Sequence, residues 1–196
     1  AASDVYKRQD YDIQNGAAAI CMEVDTGAIL SMVSLGNFDL NDYQTNSAEA
    51  EAEISAAAQS EEEYDELYAL AQQQQWRNKA ISDTYEPGST FKPITLATAL
   101  EEGVVDENST FDCPGYYMVN GVRINCSKVQ GHGHQTLAEA VQNSCNPAFM
   151  QIGQRLGIEK FYEYFQAFGL TEPTNIDLNG EGVSTVWPLN LSLIHI

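Results

Sequence analysis

The chain has 196 residues, 43% of them hydrophobic, and carries 28 acidic against 9 basic side chains for a formal net charge of -19. That length and balance suit one sizeable buried core, and the acidity, with no basic cluster, argues against nucleic-acid binding. No stretch approaches the roughly 20 apolar residues of a membrane span, no secretory signal opens the chain, and no cofactor-binding fingerprint stands out.

Taken in order, the opening Ser3-Asp4-Val5-Tyr6-Lys7-Arg8-Gln9 and the closing Leu191-Ser192-Leu193-Ile194-His195-Ile196 resemble translated adapter read-through more than protein. Residues 1–9 and 187–196 are therefore expected to be foreign to a domain that fills 10–186. Residues 17–24 and 28–34 predict two strands joined by Asp25-Thr26-Gly27, with Ile20, Met22 and Val24 facing Leu30 and Met32 in an alternating apolar pattern. A lone hairpin is marginal in water, so this one is expected to join a larger sheet. Asn37-Phe38-Asp39-Leu40-Asn41 leaves it through turn-forming residues.

Residues 44–75 read as an acidic insertion. Its first part, 45–59, is Ala, Glu and Ser without a basic residue, which predicts a surface insertion or linker. Ser60-Glu61-Glu62-Glu63 then has capping-box form, and Tyr64, Leu67, Tyr68 and Ala71 recur at helical spacing, predicting a short amphipathic helix to about Gln75.

The next stretch, Tyr85-Glu86-Pro87-Gly88-Ser89-Thr90-Phe91-Lys92-Pro93, carries the most chemistry. Proline is tolerated in a helix only near its start, so a helix through Pro93 begins close to Ser89. Ser89 then sits at the positive end of the helix dipole, with Lys92 on the same face one turn later. A serine hydroxyl becomes a nucleophile when a neighbouring base takes its proton, and a buried lysine is one such base. Ser-x-x-Lys alone is a weak pattern, and Ser89 as a simple helix cap is the competing reading. The helix continues through Ile94, Leu96, Ala97, Ala99 and Leu100, apolar enough to be central and buried, and stops at Gly103.

Residues 110–134 are rich in Gly, Tyr and turn residues and predict a small β-excursion. Of the four cysteines, Cys21, Cys113, Cys126 and Cys145, none forms a C-x-x-C pair. Cys113 and Cys126 either close a loop as a disulfide or are small buried side chains. His132 and His134 alternate, but no carboxylate or cysteine completes a ligand set at local spacing, so a loop role is expected and no metal. Thr136-Leu137-Ala138-Glu139 is a second capping box, opening a helix to about Gln142. Pro147 restarts a helix after Asn143-Ser144-Cys145-Asn146, where Asn146 is either an N-cap or a functional amide. Residues 158–168 predict a last helix whose stripe of Phe161, Tyr164, Phe165 and Phe168 reads as core, ended by Gly169.

The combination of Glu86-Pro87-Gly88-Ser89-Thr90-Phe91-Lys92-Pro93 with Ser144-Cys145-Asn146 resembles the transpeptidase domain of class B penicillin-binding proteins, in the cell-division and sporulation branch. Asp25-Thr26-Gly27-Ala28-Ile29-Leu30, Phe38-Asp39-Leu40-Asn41, Asn78-Lys79-Ala80, His132-Gly133 and Asn143-Ser144-Cys145-Asn146-Pro147 add to the resemblance, which extends over about 16–182. It implies an α+β fold, an antiparallel sheet flanked by helices, incomplete toward the C-terminus. It implies Ser89 as the acylated nucleophile, Lys92 as its base, Ser144 as the proton shuttle and Asn146 as the amide that holds substrate and lysine. The implied partners are peptidoglycan stem peptides ending in D-Ala-D-Ala, β-lactams and other cell-wall synthesis or division proteins. The implied location is the extracytoplasmic face of the membrane, with the anchor in a longer parent. One feature departs from the pattern: no Lys follows Lys160, so the family's third motif, Lys-Thr-Gly or Lys-Ser-Gly, is not in the chain. The chain as given is therefore expected to be inactive or poorly folded and its parent to be an enzyme. A β-lactamase or β-lactam sensor of the same fold, or a non-catalytic surface module, are the alternatives.

Overall fold

The structure, a computed structural model, describes residues 16–36 and 38–186. The two terminal segments singled out above, 1–9 and 187–196, and Asn37 lie outside the described residues. The chain divides into two units, the first made of 1–84 with 176–182 and the second of 85–175 with 183–196.

In the first unit β1 (Ala18–Met22) and β2 (Ile29–Ser34) pair antiparallel, Ala18 opposite Ser34 and Met22 opposite Ile29, with an irregularity between Cys21 and Met22. The turn closes where Gly27, at φ +73°, donates its N–H to Glu23 O at 2.8 Å. Among the described residues no third strand joins this pair. Within the described residues the larger sheet expected for it is not formed, and Ile20, Met22, Leu30 and Val33 are exposed.

The acidic stretch after it corrects the linker expectation. Residues 48–57 form helix α1 (Ala48–Ala57), whose N-cap Ser47 accepts from Ala50 N–H. Alanine and glutamate are strong helix formers, but only Ile54 of this helix is buried, so no apolar stripe announces it. Helix α2 (Glu61–Gln75) starts at Ser60, which accepts from Glu63 N–H, while the Glu63 carboxylate takes the N–H of Gln59, one residue before the position a capping box prescribes. Asn78 caps the one-turn helix α3 (Lys79–Ser82). The returning segment docks on α3 through Gly182 N–H to Ile81 O and Ser82 Oγ–H to Gly180 O, at 2.7 and 2.6 Å.

The second unit opens with a 3₁₀ turn, Gly88–Phe91, that runs directly into helix α4 (Lys92–Glu101) with Pro93 in its first turn. Its buried face is made of Thr95, Thr98 and Ala99, and Leu100 is 45% exposed. The helix expected to be central and buried from its apolar run buries one narrow face of small residues. Gly103 ends it at φ +64°, a left-handed conformation natural to glycine.

Strand β3 (Thr110–Cys113) pairs antiparallel with β6 (Gly133–Thr136), and between them β4 (Tyr116–Val119) and β5 (Val122–Asn125) form a hairpin. Asn120 and Gly121, both at positive φ, make its two-residue turn. The loop after β5 folds tightly back on β3. A Cβ on Gly131 would stand 2.3 Å from Cys113 O, and one on Gly115 2.0 Å from Val129 O. Helices α5 (Leu137–Gln142), α6 (Asn146–Leu156) and α7 (Ile158–Ala167) complete the unit.

Its core joins Ala99, Val105, Phe111, Leu137, Ala140, Ala148, Phe149 and Ile152 with three cysteines, Cys113, Cys126 and Cys145. The stripe on α7, expected to be core, is half-buried. Phe161 and Phe165 pack on Phe91 with centroids 5.9 and 5.7 Å away, Tyr164 O–H donates to Glu102 at 2.9 Å, and Phe168 is 51% exposed. Helices with antiparallel strand pairs agree with the expected α+β class.

Candidate active site

The chemistry-bearing residues come together in the second unit because three local signals place them. The Pro93 start sets Lys92 at the junction of the 3₁₀ turn and α4. The Thr136 capping box, with Thr136 Oγ1 accepting from Glu139 N–H and the Glu139 carboxylate accepting from Thr136 N–H, starts α5 in a fixed orientation. Between the end of α5 and the start of α6 the chain reverses through Ser144, which takes φ +46°. A non-glycine residue in that region carries a backbone cost of about 1 kcal/mol or more, and it turns both the Ser144 carbonyl and its hydroxyl toward Lys92.

Lys92 Nζ lies 2.7 Å from Ser144 O, 2.9 Å from Ser144 Oγ and 2.7 Å from Asn146 Oδ1. An ammonium has three protons to donate, and these three acceptors use them all. Asn146 is the first residue of α6, so its side chain does not cap the helix; Cys145 holds the cap position. The Asn146 amide instead spans the site, accepting from Lys92 and donating from Nδ2 to Asn125 O at 3.4 Å. The cap reading of Asn146 is thereby replaced by a polar bridge between α4 and the end of β5.

Burial holds the Lys92 amine below the usual lysine range, against an opposing pull from the nearby Cys145 and Cys126 sulfurs. The Phe149 ring, 5.2 Å from Nζ, forms part of its apolar surround. Phe149 was not singled out from the sequence, although it follows Asn146 by three positions on one face of α6, a spacing at which it was findable. Asn125, whose carbonyl anchors the Asn146 amide, carries no local signal of that role.

Ser89 sits in the middle of the 3₁₀ turn, exposed, one turn before Lys92. The hydrogen bonds of Lys92 Nζ go to Ser144 and Asn146 rather than to Ser89. The Ser89 hydroxyl is exposed to solvent. Of the four residues expected from the sequence, Lys92, Ser144 and Asn146 are thus in direct contact, and Ser89 stands beside them on the same helical start.

Behind this cluster lie the three core cysteines, all free thiols. Burial pushes the Cys145 thiol up to about 11. Burial also opposes the Cys126 thiolate, but the Lys128 and Asn146 backbone N–H groups, with the Cys113 and Ser127 side chains, outweigh it and hold that thiol below its usual value.

Comparison with known proteins gives this arrangement a context. Residues 17–193 match the family described as the penicillin binding protein transpeptidase domain. The chain is 42% identical over 176 residues to stage V sporulation protein D of Bacillus subtilis, which covers 89% of this chain and 24% of that protein. It is 31% identical over 175 residues to peptidoglycan D,D-transpeptidase PbpA of Mycolicibacterium smegmatis, covering 82% and 33% of the two. Among solved structures, the D,D-transpeptidase domain of a peptidoglycan glycosyltransferase from Eggerthella lenta superposes with a TM-score of 0.72 at 26% identity, covering 98% of this chain and 42% of that one. The chain therefore spans about a quarter to a third of the length of these curated relatives.

Proposed function

The chain belongs to the penicillin-binding-protein transpeptidase family, and from that premise we propose that it is part of a serine-type peptidoglycan D,D-transpeptidase whose acyl-enzyme forms on Ser89. The observation that carries this reading is Lys92 Nζ, half-buried and within hydrogen-bond reach of both Ser144 Oγ and Asn146 Oδ1, one helical turn from Ser89.

The chemistry follows from that geometry. With Lys92 neutral, its amine still donates to the Ser144 and Asn146 carbonyl oxygens, and its lone pair is free to accept a proton. Ser89 Oγ attacks the carbonyl of the penultimate D-alanine of a stem peptide, or of a β-lactam ring, and its proton passes to Lys92. The tetrahedral oxyanion faces the Ser89 N–H at the start of the helix, where backbone donors and the helix dipole stabilise negative charge. Ser144 Oγ–H relays a proton from Lys92 to the departing nitrogen, so that D-alanine leaves with a neutral amine, or the β-lactam nitrogen is protonated. Asn146 holds Lys92 and offers its Nδ2 to the substrate amide. An amino group of a neighbouring stem peptide then attacks the acyl-enzyme, releases Ser89 and completes the cross-link. This places the working site on the extracytoplasmic face of the membrane, where stem peptides are, alongside other proteins of cell-wall synthesis or division. No helix among the described residues is long and apolar enough to cross a membrane.

The domain reading is part of the proposal: residues 10–186 supply the N-terminal part of the transpeptidase domain, with 44–75 as its acidic insertion, and a Lys-Thr-Gly or Lys-Ser-Gly strand supplies the facing wall of the cleft. The test is intact mass after incubation with benzylpenicillin, on the 196-residue chain and on a longer version carrying that strand, each beside Ser89→Ala. An adduct on the longer version that vanishes with Ser89→Ala is expected. A folded longer version with no adduct overturns the acyl-transfer reading, and an adduct that forms and is rapidly lost identifies a β-lactam hydrolase instead.

A further inference from the structure

The hairpin of β4 and β5 carries a cation that the mechanism above does not use. The Asn125 carbonyl accepts from Asn146 Nδ2 at 3.4 Å, and the Asn125 side-chain oxygen accepts from Arg123 Nε at 3.2 Å. Hydrogen bonds therefore run from Lys92 through Asn146 and Asn125 to Arg123. Arg123 and Asn125 stand on one face of β5, which also carries their cross-strand partners Met118 and Tyr116 of β4. Tyr117, on the opposite face, donates its O–H to Gln154 Oε1 of α6 at 2.8 Å.

The Arg123 side chain leans along the outer face toward the site. In register Arg123 is opposite Met118, whereas Asn125 is opposite Tyr116. The guanidinium carbon nevertheless lies 4.1 Å from the Tyr116 ring centroid. It is thus displaced away from the Asn120–Gly121 turn and toward the end of β5 that touches Asn146. Stacking on the ring and the Nε–H bond to Asn125 fix the plane of the fork. Its two terminal nitrogens present paired donors at the spacing that suits a carboxylate.

Among the described residues Arg77 and Lys160 have carboxylate partners, and Arg123 has none. The chain holds 28 acidic and 9 basic side chains, and its overall field repels an anionic substrate. A stacked guanidinium beside the site, left unclaimed by an internal acid, offsets that repulsion at one point and so sets orientation.

We propose that Arg123 is a specificity-determining residue of the acyl-transfer site, its guanidinium binding a carboxylate of the acyl-donor stem peptide upstream of D-Ala-D-Ala. The proposal rests on the acyl-transfer reading above. The direction follows from the line of hydrogen bonds. Lys92 and Ser144 serve the departing nitrogen, at one end. Asn146 Nδ2 has two protons, one on Asn125 O and the other for the substrate amide. Arg123 lies past Asn146 on the side away from Lys92, where the part of the donor peptide retained in the acyl-enzyme extends.

The test uses the longer version that carries the Lys-Thr-Gly or Lys-Ser-Gly strand and two penicillins that differ by one group. Carbenicillin is benzylpenicillin with a carboxylate on the carbon next to its side-chain amide carbonyl. Timed intact mass gives a second-order acylation constant for each, and the readout is the ratio of carbenicillin to benzylpenicillin. In Arg123→Gln that ratio should fall about five- to tenfold, the loss of one charge-assisted contact at an exposed position. Arg123→Lys, a point charge without the planar fork, should recover only part of it. Tyr116→Leu, which removes the ring beneath the guanidinium, should lower the ratio in the same direction. Lys128→Gln, which removes an exposed cation from the loop after β5, should keep the parental ratio and so separates a contact from overall charge. The gap between parent and Arg123→Gln should narrow as salt rises. A ratio unchanged in Arg123→Gln overturns the proposal, and so does a loss shared equally by both penicillins, which is what a purely structural role in the hairpin gives. No benzylpenicillin adduct on the unaltered longer version removes the acyl-transfer reading and this proposal with it, whereas normal adduct with an unchanged ratio removes this proposal alone.

Discussion

At the level of single residues, the contacts of Lys92 separate two roles that a cation can play. Nζ donates to Ser144 O and Asn146 Oδ1, which a permanent charge does equally well, and it meets Ser144 Oγ, which also has a proton to give. Lys92→Arg keeps the charge and has donors to spare, but a guanidinium does not deprotonate in a protein. In a version that acylates, Lys92→Arg and Lys92→Met should therefore both slow benzylpenicillin acylation by about 10²–10⁴-fold, the span of a lost general base, as followed by stopped-flow or timed intact mass. Near-normal acylation by a folded Lys92→Arg protein would reduce Lys92 to an electrostatic anchor. Ser89 and Lys92 were legible in the sequence because a proline fixes where the helix begins and three residues fix the face they share. The partners of Lys92 were legible only through resemblance, since Ser144 lies 52 positions away. The strain at Ser144, φ +46°, left no trace in composition.

At the level of elements, the orientation of that strained turn depends on α5, a helix of six residues, made of good helix formers but too short to hold on its own. The capping box therefore matters more here than on a longer helix. Thr136→Ala removes the acceptor for Glu139 N–H and should cost about 1 kcal/mol, read from a denaturant midpoint shift at unchanged slope. The Glu139 carboxylate is held below the usual range chiefly by the Thr136 backbone N–H and also by the Thr136 hydroxyl. Its folded pKa is thus depressed. The stability it contributes is fully present above the unfolded carboxylate value of about 4.3 and is lost as pH falls through the lower, folded value. Glu139→Gln should accordingly flatten the stability profile in that acidic window while leaving the profile near neutrality parallel to the parent's. An unchanged acid limb would detach Glu139 from the cap. Both this box and the Gly103 and Gly169 stops were readable because their rules span three or four residues. Helix α1 was missed for the converse reason: with one buried side chain, Ile54, it has propensity but no stripe.

At the level of the whole molecule, the same contrast separates local signals from assembled ones. Cys113, Cys126, His132 and Cys145 come together across gaps too long for a local motif and set instead by the β3–β6 pairing and the Gly131 contact. The exposed apolar side chains of the β1–β2 hairpin likewise follow from which strands pair, which alternation alone does not specify. Charge, by contrast, is fully given by the sequence and acts on every element at once. The net charge is -19, and residues 44–75 hold eight of the acidic side chains, Glu49, Glu51, Glu53, Glu61, Glu62, Glu63, Asp65 and Glu66, with no basic one among them. Such a surface repels itself, and the compact state suffers more than the expanded chain because folding brings the charges closer. Monovalent salt screens that repulsion over a Debye length that shrinks from about 30 Å at 0.01 M to about 8 Å at 0.15 M. Few attractive pairs oppose the effect, since the ion pairs Arg77–Asp83 and Lys160 with Glu102 and Glu163 are partly exposed and weakly stabilising. Raising salt across that range should therefore raise the midpoint of thermal unfolding by a few degrees, about what 1 kcal/mol supplies in a chain of this size. A midpoint that falls with salt would mean that attractive pairs, rather than the excess acidity, dominate the electrostatics of the fold.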